Sequence, residues 1–226
     1  MFRFQVIFLL FSSLLLSANL NSNKQNFTII NNEATNSKLL FTLNDSEIIQ
    51  NENKHEFKTN NNLGLTMDQG SPQLPVYSTL FKINPDKNYD ISYDIISSRT
   101  IENIDFKNYK GNSSNSNSIY PENNIYISEP QIMRDLVLNQ IGFIPYKYHP
   151  EQKKLEIYES VEINIVESGN SNFDYFLPDK KSRVFSELYK NSIINYTSSD
   201  RDEDYQTSSI LYICGGILVQ IPGFLI

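Results

Sequence analysis

From position 89 to position 95 the chain reads Tyr-Asp-Ile-Ser-Tyr-Asp-Ile, apolar at every odd position and polar at every even one. Side chains of a β-strand project alternately to opposite faces, so this spacing fits a strand with one dry and one wet face and does not fit a helix. The pattern returns at Leu155, Ile157, Val161, Ile163 and Ile165, preceded by Tyr146, Tyr148 and a polar turn over 149–153. Two alternating runs around a short polar turn read as a β-hairpin. Glu159 falls on the apolar side of that register, which predicts a bulge near residues 158–160.

Other segments carry the same signature. Residues 76–83 are β-rich, opened by Pro72 and Pro75 and closed by Asn84, Pro85 and Asp86, which is turn chemistry. Residues 125–128 are short and extended, residues 133–144 are mostly apolar between Pro130 and Pro145, and Ile101, Ile104 and Phe106 suggest one more short strand. Short strands separated by turn signals, with no long 3.6-residue period among them, predict an all-β fold, an antiparallel β-sandwich over residues 69–167. Residues 21–68 are polar and Asn-rich, with one apolar burst at Leu39, Leu40, Phe41 and Leu43, and read as a weakly specified region with one strand.

The two ends differ from this core. Arg3 precedes an apolar run over residues 4–16, followed by Ser17 and Ala18 and then polar sequence. That order is the one found in secretory signal peptides, so residues 1–20 are expected to direct export, and the run is short for a bilayer span. Beyond 168–171, a Ser, Gly and Asn linker, Asp179 is placed to cap a helix over 180–196 whose apolar side carries Val184, Phe185, Leu188 and Tyr189. The linker region runs to residue 207, and residues 208–226 open with Ile210, Leu211, Tyr212, Ile213 and Cys214 before Gly215 and Gly216. An apolar run so bounded reads as a buried parallel strand beginning an α/β domain.

Chemistry-bearing residues are sparse. The chain has two histidines, His55 and His149, and the single cysteine Cys214, so no intrachain disulfide forms. Zinc-binding, nucleophile-elbow and phosphate-loop spacings are all missing from the sequence. His149, in a hairpin turn, reads as a solvated imidazole. No catalytic, cofactor-binding or metal-ligating residue is assigned. A net charge of −7 without a basic cluster argues against a nucleic-acid partner, because phosphate neutralisation needs concentrated Lys and Arg.

The order of features from Gly70 to Tyr196 resembles the propeptide domain of gingipain-type (C25 family) cysteine peptidases. The likeness is carried by Gly70, Pro72, Leu74 and Pro75 ahead of a strand, by Tyr120 and Pro121, by Met133 and Arg134 leading to Pro145, by Tyr148, His149 and Pro150, by the Leu155, Ile157 and Tyr158 strand, and by Phe185 through Tyr196. Asp135 stands where that family usually has Gly. The resemblance implies an Ig-like prodomain, a linker helix and, from Tyr212 and Ile213, the truncated start of a caspase-like domain. It implies a secreted zymogen's propeptide, inactive on its own, that assists folding and holds the peptidase latent. The implied partner is the caspase-like catalytic domain of the parent or of a neighbouring peptidase. Gingipains favour Arg or Lys in their specificity pocket, which makes Lys107, Lys110 and Gly111, on a loop over 107–117, the candidate inhibitory segment; Arg134 lies on a predicted strand and is less available. The reading from another class is a secreted adhesin or carbohydrate-binding sandwich that uses exposed Tyr rings as sugar platforms.

Overall fold

The computed structural model describes residues 26–33, 35–44, 47–58, 63–111, 118–178, 183–197, 212–214 and 217–219. Residues 1–20, expected to direct export, the expected cap Asp179, residues 112–117, the residues from 198 to 211, and Gly215 and Gly216 lie outside them.

Hairpins open the chain: β1 (Phe27–Asn32) with β2 (Asn36–Thr42), and β3 (Glu47–Asn51) with β4 (Lys54–Lys58). The short β5 (Gly64–Leu65) pairs with β6 (Pro75–Lys82), and a turn leads into the long β7 (Lys87–Ile101). Then come β8 (Ile125–Ile127), β9 (Gln131–Met133), β10 (Leu136–Phe143), β11 (Tyr146–His149) and β12 (Lys154–Asn170). Helix α1 (Arg183–Ser192) follows, and β13 (Tyr212–Cys214) pairs antiparallel with β14 (Ile217–Val219).

Two antiparallel sheets result. The first runs β1-β2-β12-β11 with β7 also on β12, and the second runs β5-β6-β10-β8 with β9 also on β10. β2 and β7 both pair with residues 160–166 of β12, so they flank it and β7 is an edge strand. The register against β7 slips between Tyr158 and Ser160, at the expected bulge. The β11–β12 hairpin also forms as read, with Tyr148 opposite Leu155. His149, however, is only partly exposed, with Nε2 3.3 Å from Glu156 Oε1.

The sheets stack face to face through aromatic side chains. Phe41 of β2 meets Phe27 at 5.2 Å, Tyr77 of β6 at 5.3 Å and Phe143 of β10 at 4.9 Å between ring centroids, each edge-on, a favoured aromatic geometry. Leu39, Val161 and Ile163 are wholly buried beside it. β10 is buried on both faces, because its Leu136 and Leu138 point away from this core and pack against Tyr189 and Ile193 of the α1 region. Among the described residues the molecule is therefore mostly β, with two five-stranded sheets, two two-stranded hairpins, and one short helix laid on the outer face of the second five-stranded sheet.

Several details depart from the sequence reading, among them β13, expected as a parallel strand but paired antiparallel with β14, the strand that follows it after two residues. Residues 26–58 are not weakly specified: β2 is an interior strand of the first sheet, and Phe27, Leu39, Phe41 and Phe57 are core. Their alternation is short, and its partner strand lies more than a hundred residues downstream, out of reach of any local window. Residues 168–170 are the end of β12 rather than linker, held by Lys87 Nζ to Asn170 Oδ1 at 3.0 Å and by Asn88 Nδ2 to the Asn170 carbonyl at 3.0 Å.

The expected strand over 133–144 is broken. Arg134 takes φ of 58° and with Asp135 forms the turn between β9 and β10. Arg134 is thus on a turn and not a strand, with its guanidinium 4.9 Å from the Phe185 ring centroid. The helix ends at Ser192 rather than 196, because the next residues join a sheet edge instead. Ile194 N–H donates to the Leu80 carbonyl at 2.9 Å, and the Asn195 side chain both accepts from Lys82 N–H at 2.6 Å and donates to its carbonyl at 2.8 Å. An amide that copies a backbone pair in this way offers the chain a better partner than another helical turn.

Phe41→Ala is expected to cost about 3–5 kcal/mol, whereas Phe176→Ala, at a residue 84% exposed, should stay within about 0.5 kcal/mol of the parent. Urea unfolding curves of the two variants check both values.

Candidate functional site

Residues 104–111 form an arm that leaves the end of β7 and runs along β4. Ile104 and Phe106 are buried while Lys107 is exposed. The strand expected from Ile101, Ile104 and Phe106 does not form: Ile101 closes β7, and the arm makes only isolated bridges, His55 with Phe106 and Pro72 with Asn108. Phe106 fixes its position, stacked on Phe57 at 5.3 Å and edge-on to Tyr148 at 5.1 Å.

His55 supplies the backbone partners. Its N–H donates to the Asp105 carbonyl at 2.7 Å, and its carbonyl accepts the Lys107 N–H at 3.0 Å. The Asp105 carboxylate is paired with Lys54 at 2.7 Å and Lys153 at 3.5 Å. Burial works against its ionisation, but the hydrogen bonds and charges of these two ammonium groups outweigh it and hold the carboxyl below its ordinary range.

The arm's far end rests on a turn over residues 68–71. Gly70, with φ of 80°, donates its N–H to the Tyr109 carbonyl at 2.9 Å, and Tyr109 N–H donates to the Ser71 carbonyl at 2.9 Å. That φ is one a side chain disfavours, which gives the glycine of the Gly70, Pro72, Leu74 motif a physical role. The turn is itself braced. Thr66 Oγ1 donates to the Pro72 carbonyl at 3.1 Å and accepts the Leu74 N–H at 2.9 Å, and Leu74 is wholly buried.

Past residues 112–117 the chain returns to the same turn. Tyr120 exchanges backbone bonds with Tyr148, at 2.9 and 2.7 Å, and its Oη donates to Asp68 Oδ2 at 2.6 Å. Burial, and after it the hydrogen bond to Asp68, raise the Tyr120 phenol above its ordinary value, so it is a donor at neutral pH.

The sequence-derived candidates Lys107, Lys110 and Gly111 all lie on this arm. Lys107 and Lys110 are exposed and line one surface groove with Glu56 and Gln73. Lys110 has φ of 52° and Gly111 φ of 89°, so the backbone changes direction there. The Lys110 ammonium sits 5.0 Å from the Tyr109 ring centroid, and among the described residues neither lysine has a carboxylate within ion-pair distance. Arg99, by contrast, is held by Glu159 at 2.9 Å. Of the anchors, Asp68 was not singled out by the sequence; Tyr120, Phe106 and His55 were, as a family motif, a strand residue and a histidine, but not as holding the arm, for which Gly70 and Pro72 beside them were the available signal.

A family model described as the C25 propeptide (Propeptide_C25) matches residues 82–202, more than half of the chain. The chain belongs to the C25 propeptide family. Its similarity to gingipain R2 of Porphyromonas gingivalis (strain W83) is 23% identity over 152 residues, covering 58% of this chain and 20% of that protein. With gingipain R1 of Porphyromonas gingivalis it shares 23% over 147 residues, 57% of this chain and 15% of the relative. The chain thus spans about a fifth or less of the length of these gingipains.

Among solved structures, the fold is shared with a chain in the complex of Porphyromonas gingivalis RgpB pro- and mature domains, at a TM-score of 0.61 and 20% identity over 76% of this chain and 98% of the other. It is also shared with a structure described as giving insight into zymogenic latency of gingipain K from Porphyromonas gingivalis, at a TM-score of 0.52 and 12% identity over 63% and 92%. The C25 propeptide resemblance carried by residues 70–196 therefore holds at the level of family and fold.

Because the Asp105 carboxyl titrates below its unfolded value, the stability it contributes is complete above about pH 4 and is lost as pH falls through its folded pKa. The urea midpoint of the C25 propeptide is expected to fall between about pH 5 and pH 3, and Asp105→Asn should lower it at pH 7 while making that acid-side fall shallower. Unfolding curves across this range read both effects.

Proposed function

We propose that this chain is the propeptide region of a secreted gingipain-like cysteine endopeptidase, which assists folding of the catalytic domain and holds it latent. The observation that carries the reading is a C25 propeptide fold that presents a pinned arm with two exposed lysines, neither of which meets a carboxylate among the described residues. A protease whose pocket takes Arg or Lys is blocked by a basic side chain held on a backbone that cannot relax into productive attack geometry.

Lys107 sits on a backbone bonded on both sides, through His55 and through Tyr109. Its backbone therefore adds little ordering cost when its cation enters a cleft. Lys110, at the swing of the chain, is the second candidate, and Gly111 gives that swing its backbone freedom. The partner is the caspase-like catalytic domain of the parent or of a neighbouring peptidase, residues 208–226 being the start of such a domain. Export rests on the Arg3 and apolar 4–16 pattern. No cofactor enters the mechanism.

Titrated against the catalytic domain of gingipain R2 with a fluorogenic Arg or Lys substrate, the purified chain is expected to inhibit saturably. Lys107→Ala or Lys110→Ala should weaken that inhibition by about tenfold or more, the scale of one lost charged anchor. Absence of inhibition by the parent chain, together with no gain in refolding yield of the catalytic domain, would abandon the latency reading.

A further inference from the structure

We propose that Lys107 is the residue that fills the specificity pocket, and that the peptidase domain held by this chain is therefore selective for lysine over arginine. The proposal rests on the latency reading above and names the residue and the substrate class of the same site.

A segment that lies in a protease cleft as a substrate does is extended, with its specificity side chain pointing off the backbone into the pocket. Lys107 meets both conditions. It stands between two bridge residues, Phe106, which pairs with His55, and Asn108, which pairs with Pro72. Neighbouring side chains on such a backbone project to opposite sides. Phe106 is buried in the aromatic core, and Lys107 is exposed. Lys107 N–H donates to the His55 carbonyl at 3.0 Å and Tyr109 N–H to the Ser71 carbonyl at 2.9 Å, so the backbone on both sides of the pocket residue is set before a cleft meets it.

Lys110 differs on each count. Its φ of 52°, followed by φ of 89° at Gly111, is left-handed and makes a turn, where a strand in a cleft needs the extended region. Its ammonium already lies 5.0 Å from the Tyr109 ring centroid, a cation–π contact that entry into a pocket would give up.

The chemistry of the Lys107 side chain then bears on the pocket. The two arginines with described side chains are engaged elsewhere, Arg99 with Glu159 at 2.9 Å and Arg134 over Phe185 at 4.9 Å. The cation that the arm offers is an ammonium, a compact charge with three donors, whereas a guanidinium is a planar fork with five. A pocket with acceptors spaced for the fork leaves some of them buried and unpaired when lysine enters, and it discriminates against lysine for that reason. A propeptide that presents lysine fits a pocket built for the ammonium, and the domain it holds latent cleaves after lysine.

The test takes the full chain and two gingipain-type catalytic domains, one lysine-selective and one arginine-selective as established with fluorogenic Lys and Arg substrates. It reads the ratio of the two inhibition constants. The parent should inhibit the lysine-selective domain about tenfold or more tighter than the other. Lys107→Arg should reduce or reverse that preference by a similar factor, while Lys110→Arg leaves it where it was. Urea midpoints equal to the parent's establish that both variants are folded.

A preference that is absent, or that favours the arginine-selective domain, overturns the lysine selectivity. One that does not move with Lys107→Arg, or moves as far with Lys110→Arg, overturns the assignment to Lys107. In each of these cases inhibition has been observed, so the latency reading stands. A parent chain that inhibits neither domain overturns this proposal, and if it also gives no gain in refolding yield the latency reading falls with it.

Discussion

β12 is the strand on which the other parts of this molecule are assembled. Its residues 160–166 carry β2 on one side and β7 on the other, and its first residues carry β11. Because side chains alternate along a strand, a single register fixes which residues of all these strands face the second sheet. That register brings Leu39 and Phe41 from one end of the chain, Tyr93 from its middle and Ile163 from β12 into one layer, against which Tyr77 and Phe143 close. The arm depends on the same arrangement, since Tyr148 on β11 is both a wall for Phe106 and the backbone partner of Tyr120.

The long outer strand raises a different problem. β7 runs over fifteen residues and pairs on one side only among the described residues, and an edge of that length invites pairing with other chains. The register slips near Tyr158 and again near Glu167, and Asp90, Asp94 and Arg99 are exposed along β7. Bulges bend an edge out of plane and charges oppose its stacking, which together keep the strand from acting as a template. The second sheet meets the equivalent problem with other segments of the same chain. Ile194 and Asn195 stitch themselves along β6, while Tyr126 lies over Gly142, where any side chain would collide with its ring.

Helix α1 gives the outer face of the second sheet its cover. The turn between β9 and β10 reaches it from the side: Asp135 accepts the Tyr189 hydroxyl, which also donates to the Met133 carbonyl at 3.3 Å, and Arg134 lies over Phe185. Burial, and then Asp135, raise the Tyr189 phenol above its ordinary value, so it remains a donor. A glycine at 135 has no carboxylate to offer, and the helix would lose that tie. Asp135 is thus one of the groups that fasten the helix to the second sheet, together with Ile194 and Asn195.

Much of this was legible from spacing alone. The alternation at 89–95 and 155–165, the bulge forced by Glu159, the turn at 149–153 and the amphipathic stretch around Tyr189 are local properties of the sequence, and local sterics and side-chain direction are enough to place them. Lys107, Lys110 and Gly111 could be put on one exposed segment for the same reason. What the sequence could not decide was anything requiring distant chain segments to meet. The polar-looking residues 26–58 become core only because β12 supplies their partner, and Arg134 turns because its neighbours pair with each other. The hold on the arm exists only because His55, Phe57, Tyr148 and the 68–71 turn, distant in sequence, all meet it. Alternation reports which face of a strand is dry, whereas which strands share that dryness is set by long-range burial, and that only the tertiary structure determined.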